Sequence, residues 1–310
     1  MRPSSPAVHS EPVVKRPADA SPKPRYVIIT PVRDEASYIG ETAASVAGQN
    51  VLPVEWVIVD DGSTDGTGAI VDSLSRQWPW IRVLHRENRG RRDADVGAIG
   101  AFLDGYRSLR HLDWDFLANL DADLTLEPDY FEKCFQVFAA QTNLGIGGGS
   151  LYHLDAFGGT RAERGPENHV RGATKIYRRD CWEVIGGLAE VPGWDTLDEV
   201  KAQMAGWRVR SFEHIRALHR RPTGHAGGQW RDSVKNGHSD YFLGYHPLYM
   251  FVKCARRAFT RPFLASGLGH AWGYLSCYFQ SYPQVGDREL VHYVRRQQLR
   301  RLVFMDTTWK

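Results

Sequence analysis

Strand-like and helix-like segments alternate along the chain from Tyr26 to Asp123, and this alternation constrains the fold more than any other feature. Four short β-rich runs, "YVIITPV", "EWVIVDD", "IRVLHR" and "WDFLANLDA", are separated by three segments with apolar residues at helical spacing. This order predicts an α/β fold with a mostly parallel sheet that helices cover on both faces. Ligands of such sheets bind beyond the carboxyl ends of the strands, so the polar residues that end each strand form the candidate site.

The fourth strand run ends in two carboxylates, Asp121 and Asp123, within "FLANLDADLTLEP". Two carboxylates at one strand end repel each other unless a positive charge lies beside them. A divalent cation meets this need, because Mg²⁺ and Mn²⁺ take oxygen ligands and combine one or two protein carboxylates with substrate phosphates. Turn formation is the simpler alternative, because aspartate is common where strands end.

Polar residues also end the first three strands. The motif "TPVRDE" follows the first strand, "VDDGSTDGT" follows the second, and the basic loop "HRENRGRRDAD" follows the third. Asp60 or Asp61 can accept hydrogen bonds from a base or a ribose, and Asp65 is placed to cap the next helix. The arginines of the basic loop can meet phosphates. The alternative for each motif is local: a turn, a helix start or a solvated charged face.

The ordered set of motifs resembles the family 2 glycosyltransferases, which have the GT-A fold. The resemblance rests on the segments already quoted, on "KIYRRDCWEVIGGL" and on "GWDTLDEVKAQMAGWRV", and it spans roughly residues 26 to 220. It implies a nucleotide-sugar donor, a divalent metal cofactor (Mn²⁺ or Mg²⁺) and inversion at the anomeric carbon. The chain is expected to be an enzyme, a hexosyltransferase of the family 2 type.

The resemblance also assigns site residues. The expected nucleotide-sugar-binding residues are Pro31, Arg33, Glu35, Asp60, Asp61, Arg91, Asp121 and Ala122, and the expected metal-binding residues are Asp121, Asp123 and His219. One loop departs from the family pattern: the usual N-x-G loop with small residues reads "NRGRRDADVGAIG" here. This departure leaves open which of Arg89, Arg91, Arg92, Asp93 and Asp95 contacts the donor.

An inverting transferase also needs a carboxylate that accepts the proton of the attacking hydroxyl. Asp195, Asp198 and Glu199 lie at i, i+3 and i+4 at the start of an amphipathic segment, so they cluster on one side of its first turn. By resemblance, Asp195 is the first candidate for the catalytic base and Asp198 the second, because Trp194 replaces the acid that the family more often has first. Helix capping, with Asp195 as N-cap, is the structural alternative and is compatible with catalysis.

The chain divides into three parts on sequence grounds. Residues 1–24 are rich in proline, serine and alanine without an apolar period, which predicts a disordered tail. Residues 25–225 form the expected GT-A catalytic domain, within which the polar, glycine-rich segment 153–172 is interpreted as a lid loop. Residues 226–310 are expected to be a helical, aromatic and basic appendage.

The appendage leaves two interpretations open. Residues 263–282 carry no formal charge but are less apolar than a convincing span, so a helix pair in the membrane interface is one expectation. Packing on the catalytic domain, or on a second subunit in a homo-oligomer, is the other. The four cysteines form no metal-type pair and no secretory signal is evident, which favours the cytoplasm, with the inner face of the membrane as a further option.

The predicted activity is transfer of a sugar from a nucleotide-diphosphate donor to a hydroxyl of a saccharide or lipid-linked acceptor, in the synthesis of a cell-surface polysaccharide or glycolipid. The main alternative is a catalytically inactive nucleotide-sugar-binding or scaffold subunit. A nicotinamide dehydrogenase fits less well, because the glycine cluster "GIGGGS" does not open a helix. A formal net charge of +3 gives no reason to expect a nucleic-acid partner.

Overall fold

The computed structural model describes residues 23–88, 97–154, 159–163, 165–221, 228–259 and 264–309. Nearly all of the predicted tail, the donor candidate Arg91 and its neighbours Arg89, Arg92, Asp93 and Asp95 lie outside these residues. The strands of the described parts are β1 (Tyr26–Val32), β2 (Glu55–Asp60), β3 (Ile81–His85), β4 (Phe116–Asn119), β5 (Leu124–Leu126), β6 (Leu144–Leu154), β7 (Thr160–Ala162), β8 (Ile176–Arg178) and β9 (Arg208–His219).

These strands form one sheet with the order β3-β2-β1-β4-β8-β6-β9-β5, and β7 pairs with β6 outside this path. The predicted strands β1 to β4 are mutually parallel, with β1 between β2 and β4. Beyond β4 the sheet becomes mixed: β8 runs antiparallel to both β4 and β6, and β5 runs antiparallel to β9. The β5–β9 pairing brings the end of β9 beside the two aspartates that follow β4.

Helices cover both faces of the sheet. The helices of the catalytic part are α1 (Ile39–Ala47), α2 (Thr67–Gln77), α3 (Gly97–Arg107), α4 (Tyr130–Ala140), α5 (Arg179–Ile185) and α6 (Trp194–Met204). Alternate residues of β1 enter different cores: Tyr26 and Ile28 pack with α1, α2 and α4, whereas Val27 and Ile29 pack with α3 and α5. Burial on both faces explains why the parallel strands are continuous apolar runs.

The glycine cluster of "GIGGGS" lies inside β6 and has a packing role. A Cβ atom on Gly148 would lie 2.2 Å from the carbonyl oxygen of Thr174, and one on Gly149 would lie 2.5 Å from the ring of Tyr130. Neighbouring backbone and the aromatic side chain from α4 therefore approach β6 more closely than any other residue type would permit. As the sequence predicts, the cluster is not a phosphate-binding turn.

Part of the segment predicted as a lid loop is regular structure. β6 continues to Leu154, and Tyr152, His153 and Leu154 pair antiparallel with Ala162, Arg161 and Thr160 of β7. The segment shows no apolar period because the last residues of β6 and all of β7 are exposed or half-buried.

Four helices follow β9: α7 (Gln229–Phe242), α8 (Pro247–Ala258), α9 (Ala265–Phe279) and α10 (Arg288–Leu302). They share a third core with α6, in which Leu197 and Val200 of α6 meet Leu243, Tyr274 and Leu290. The C-terminal helices thus pack directly on the helix that carries the candidate bases. Within the described residues, no helix is long and apolar enough to cross a membrane.

Candidate active site

The loops that follow β1 and β2 are tied together by side chain to backbone hydrogen bonds. Asp65 accepts from the Ala36 amide at 3.0 Å, and the Thr67 hydroxyl accepts from the Glu35 amide at 2.8 Å. Gly62 lies at a φ of +73°, and a Cβ there would lie 2.5 Å from the Cα of Asn88 in the loop after β3. "VDDGSTDGT" therefore needs its first glycine for both conformation and space.

Asp65 does not cap α2 as its N-cap residue. That position is Gly66, and Asp65 lies one residue earlier, where its carboxylate accepts from the amide and the hydroxyl of Thr67 at 3.0 and 2.6 Å. The predicted interaction with the helix start exists, shifted by one residue.

Asp60 and Asp61 end β2 as buried acids with different partners. Asp60 accepts from the Ser63 amide at 2.9 Å and lies 3.0 Å from Nδ1 of His85. Asp61 pairs with Arg86 at 2.8 Å and with Arg33 at 3.7 Å. The structure thus gathers three of the predicted donor-binding residues, Arg33, Asp60 and Asp61, at the carboxyl ends of β1 and β2. Pro31, also predicted, lies within β1 and is half-buried.

A second group lies where β4, β5 and β9 converge. The guanidinium of Arg221 lies 2.6 Å from Glu35 and 3.2 Å from Asp123, so it joins the ends of β1 and β9 to the aspartate pair. Nε2 of His219 lies 3.4 Å from Asp123, and its Nδ1 lies 3.0 Å from Glu163. The β5–β9 register explains the meeting, because Leu124 pairs with His219.

Asp121 and Ala122 complete this edge of the sheet. The amide of Asp121 donates to the Ala173 carbonyl at 3.0 Å, and the carbonyl of Ala122 accepts from the Thr42 hydroxyl at 2.6 Å. Burial and the neighbouring charge of Asp123 raise the pKa of Asp121 to about 6. A cavity of about 270 Å³ adjoins this edge and is lined in part by Tyr38, His153 and His219.

His219 carries a positive charge at neutral pH in this arrangement. Burial opposes that charge, but hydrogen bonds to Asp123 and Glu163 outweigh burial and raise the pKa of His219 to about 9. The acids at this edge therefore have cationic neighbours, His219 and Arg221, even without a metal ion.

The donor set at this edge fits a divalent cation in its chemistry. Asp121 and Asp123 supply carboxylate oxygens, and Nε2 of His219, once deprotonated, adds an imidazole nitrogen. Among the residues that the structure describes, no group of three or more His, Cys, Asp or Glu side chains is spaced as a preformed metal site. Mg²⁺ and Mn²⁺ need only one or two protein carboxylates, because water and substrate phosphates complete their shells.

The two candidate bases lie in different environments on α6. The helix begins at Trp194 with Gly193 as its N-cap residue, so Asp195 is the second helical residue and not the N-cap. Its carboxylate is partly exposed, and among the described residues it has no side-chain hydrogen-bond partner. Asp198 is 2% exposed and accepts from the Lys175 ammonium at 3.1 Å and from the Tyr177 hydroxyl at 2.5 Å.

Lys175 is the centre of this buried cluster. Its fully buried ammonium lies 3.1 Å from Asp198 and 3.0 Å from Glu199, and it donates to the main-chain carbonyl of Asp195 at 2.6 Å. Nδ1 of His169 lies 2.9 Å from Glu199 on the far side. Burial opposes the charge of Lys175, but the two carboxylates outweigh it and raise the pKa of Lys175.

The pKa values of the acids in this cluster move apart. Burial raises the pKa of Asp198 to about 7, whereas Lys175 and His169 lower that of Glu199 against the effect of burial. The charge of Glu199 in turn raises the pKa of His169. The cluster holds the start of α6 through the Asp195 carbonyl, while the partly exposed Asp195 carboxylate takes no part in these hydrogen bonds.

Sequence reasoning missed four residues of these clusters: Glu163, His169, Lys175 and Arg221. Lys175 carries a readable signal, because a lysine within a buried apolar run, "ATKIYRR", requires acidic partners. Glu163 and His169 carry none, because both lie in a polar stretch without a period. Arg221 reads as a solvated strand end, and only the fold brings it to Glu35.

Comparisons with known proteins agree with this geometry. The sequence model of the family described as Glycosyl transferase family 2 matches residues 27–186, about half of the chain. Chondroitin synthase from Pasteurella multocida is 31% identical over 121 residues, which cover 39% of this chain and 12% of that protein. Beta-monoglucosyldiacylglycerol synthase from Synechocystis is 26% identical over 220 residues, 64% of this chain and 44% of that protein. The matches therefore span less than half of either relative.

A solved structure shares the fold. A mannosyltransferase from Pyrobaculum calidifontis, determined with GDP-Man and Mn²⁺, superposes with a TM-score of 0.53 at 17% identity, over 92% of this chain and 88% of that one. At this identity the likeness concerns the fold alone. It confirms the predicted GT-A architecture of a sheet flanked by helices.

Proposed function

This chain belongs to glycosyl transferase family 2, and from that premise we propose that it transfers a sugar from a nucleotide-diphosphate donor to a hydroxyl of a saccharide or lipid-linked acceptor, with inversion and with the help of Mn²⁺ or Mg²⁺. The acceptor class draws on the relatives, which are named as synthases of a polysaccharide and of a glycolipid. The donor class and the metal draw on the structural neighbour with GDP-Man and Mn²⁺.

The observation that carries the proposal is the convergence of Asp123, His219, Arg221 and Glu35 at one edge of the sheet. Three acidic or cationic strand ends meet where a donor diphosphate would need both a metal and a counter-charge. Asp60, Asp61 and Arg33 lie at the neighbouring strand ends, where they would contact the base and ribose. Arg221 would stabilise the negative charge that develops on the leaving diphosphate.

Asp121 and Asp123 would hold the metal ion, and His219 would join them only after its Nε2, which faces Asp123, gives up its proton. When bound, the ion offsets negative charge on the departing nucleotide diphosphate. Both nitrogens of His219 have acidic neighbours, so this ring is oriented before a ligand arrives. Glu163 sets that orientation from the β6–β7 hairpin side.

Asp195 is the proposed base that takes the proton from the acceptor hydroxyl. Its partly exposed carboxylate can approach an acceptor, whereas the oxygens of Asp198 are occupied by Lys175 and Tyr177 in the protein interior. Asp198 and Lys175 thus act as positioning residues that fix the first turn of α6.

Calorimetric titration with UDP, GDP, dTDP and CMP, each with and without Mn²⁺, tests the donor site. One diphosphate should bind with a requirement for Mn²⁺, and Asp123→Asn should abolish that Mn²⁺-dependent binding. Asp180→Asn, which changes an exposed acid at the start of α5, should bind like the unchanged protein. If no nucleotide binds, or if Mn²⁺ has no effect, the aspartates act as turn residues and the metal-dependent reaction is wrong.

The alternative is an inactive nucleotide-sugar-binding or scaffold subunit. It predicts binding without turnover, so product formation with the donor identified by calorimetry separates the two. The proposal extends to location: we place the reaction in the cytoplasm, at the inner face of the membrane, where lipid-linked acceptors are available.

A further inference from the structure

An apolar stripe runs along the outer face of α9. Leu264, just before the helix, is followed by Leu268, Trp272, Leu275 and Phe279 at spacings of four, four, three and four residues, so all lie on one side. Each is exposed, Trp272 by 63% and Phe279 by 81%. The opposite face of α9, with Gly269, Gly273 and Tyr274, packs on α7 and the core. The stripe is therefore the side that the fold leaves uncovered.

A second apolar stripe lies on α8, the neighbour of α9. It consists of Leu248, Phe251, Val252 and Phe259, with Phe251 72% and Phe259 82% exposed. The two helices touch at Gly267, where a Cβ would lie 2.7 Å from the Cys254 carbonyl oxygen. The two stripes are thus carried by directly packed helices, and we call them together the apolar stripes. Exposed apolar area on this scale marks an interaction surface.

Basic residues accompany the apolar stripes. Residues 247–305 contain nine arginines and lysines but only two acidic residues. A groove of about 700 Å³ between the start of α8 and α10 has a mainly apolar surface, and the arginines Arg295, Arg296 and Arg300 are among the residues around it. Leu248 belongs to both the groove and the α8 stripe, so these arginines lie beside the apolar stripes.

We propose that the apolar stripes and the basic residues beside them dock this protein on an anionic lipid bilayer, with the aromatic and leucine side chains inserted at the interface and lipid phosphates paired with the arginines. The combination of an apolar face with flanking arginines is the signature of an interfacial helix. Charge complementarity favours lipid over a second copy of the chain, because two copies of this basic surface would repel each other. No described helix is long enough to span the bilayer, so attachment is peripheral.

The docked surface is coupled to the catalytic part through α6 and α7. A Cβ on Gly193, the N-cap of α6, would lie 3.0 Å from the Ser239 Cβ of α7, and α7 packs closely on α9. The choice of a lipid-linked acceptor rests on the proposed function. Docking on the bilayer does not depend on turnover and can be measured without it.

Co-sedimentation with sucrose-loaded vesicles tests the docking. The full chain should bind vesicles of phosphatidylglycerol and phosphatidylcholine, bind pure phosphatidylcholine about tenfold more weakly or worse, and lose affinity as salt rises. The double variant Trp272→Ser/Phe279→Ser should weaken binding to anionic vesicles about tenfold or more. Its control, Leu112→Ser/Val184→Ser, removes two apolar side chains that are 68% and 62% exposed on the catalytic part, and should bind normally.

Two charge-reversal variants distinguish binding to lipid phosphates from non-specific adsorption to vesicles. Arg256→Glu/Arg296→Glu should abolish the preference for anionic vesicles, whereas Arg76→Glu/Arg208→Glu, an equal change of charge at exposed positions elsewhere, should keep it. Nucleotide binding by calorimetry should be unchanged in all four variants, so a failed donor site is distinguishable from failed docking. Equal vesicle binding by the stripe variant and its control would overturn the proposal. So would a dimer in light scattering that Trp272→Ser/Phe279→Ser converts to a monomer.

Discussion

At the scale of single residues, two acids of one helical turn have different roles in the proposal: Asp195 is the catalytic base and Asp198 is a buried positioning residue. Asp195→Asn should lower kcat by about 10²–10⁴-fold, because the acceptor hydroxyl loses its proton acceptor. Donor binding should be preserved, because Asp195 lies on α6 and not at the strand ends. Initial rates with the donor identified by calorimetry, together with the dissociation constant for its diphosphate, measure both effects.

Two controls accompany the Asp195 variant. Asp180→Asn changes another acid in the first turn of a helix and should leave kcat unchanged. Asp198→Asn should mainly lower the free energy of unfolding, because Lys175 loses part of its counter-charge in the interior. A normal kcat for Asp195→Asn would remove it as the base.

His169 should make stability depend on pH. The charge of Glu199 raises the folded-state pKa of His169 above its ordinary value of 6.5. Its stabilising contribution is therefore fully present below pH 6.5 and is lost as pH rises through the folded-state pKa. The free energy of unfolding, measured with denaturant from pH 5.5 to 9, should fall along this range more steeply than in His169→Gln.

His111→Gln, at an exposed histidine whose side chain lies away from this cluster, provides the comparison for that titration. It should reproduce the slope of the unchanged protein. If the free energy of unfolding has the same pH slope in His169→Gln and in the unchanged protein, the negative charge of Glu199 is balanced by Lys175 alone.

How far the sequence predicts the site depends on where each residue's partner comes from. Asp121, Asp123, Asp60 and Asp61 are predictable because each ends a strand whose apolar run is visible. The contacts of Arg221 with Glu35 join residues 186 positions apart, so they depend on the order of strands in the sheet. The buried role of Asp198 is hidden for the same reason, because its partner Lys175 lies on another element.

At the scale of elements, the glycines of β6 and α1 should respond to alanine in opposite directions. Gly148→Ala forces a Cβ to within 2.2 Å of the Thr174 carbonyl oxygen, so we expect a loss of at least about 1–3 kcal/mol in unfolding free energy. Gly40→Ala has nothing within 4 Å and lies in the exposed first turn of α1, so it should stabilise by about 0.5–1 kcal/mol. Urea denaturation of both variants measures the two signs. A neutral Gly148→Ala would mean that β6 and the turn before β8 separate easily.

The elements up to β4 are those that the sequence predicts well, because each combines a clear period with turn residues at its ends. β6 is harder to read, because its glycines lack side chains and produce no alternation. The β6–β7 hairpin is missed because the last residues of β6 and all of β7 are exposed or half-buried and show no apolar alternation. α6 begins earlier than predicted, because its N-cap residue is Gly193, which has a positive φ, and not Asp195.

At the scale of the whole molecule, the C-terminal helices behave as part of one folded unit with the catalytic part. Their core includes Leu197 and Val200 of α6, and Trp309 near the end of the chain packs on Tyr245. The side-chain amide of Asn168 also donates to the Thr308 carbonyl. The sequence marks the change from alternation to helices after β9, but not that these helices complete the burial of α6.

This shared core predicts that a destabilising substitution in α10 also weakens the nucleotide site. Leu290 is fully buried between α10 and the third core, so Leu290→Ala should cost about 2–5 kcal/mol. Because α6 loses its cover with α10, unfolding should remain a single transition, and loss of nucleotide binding should follow the same denaturant midpoint as loss of helical signal. Leu299→Ala, at a position 37% exposed on the same helix, should shift the midpoint far less. Two separate transitions, with nucleotide binding retained after the first, would instead show that the C-terminal helices are a domain of their own.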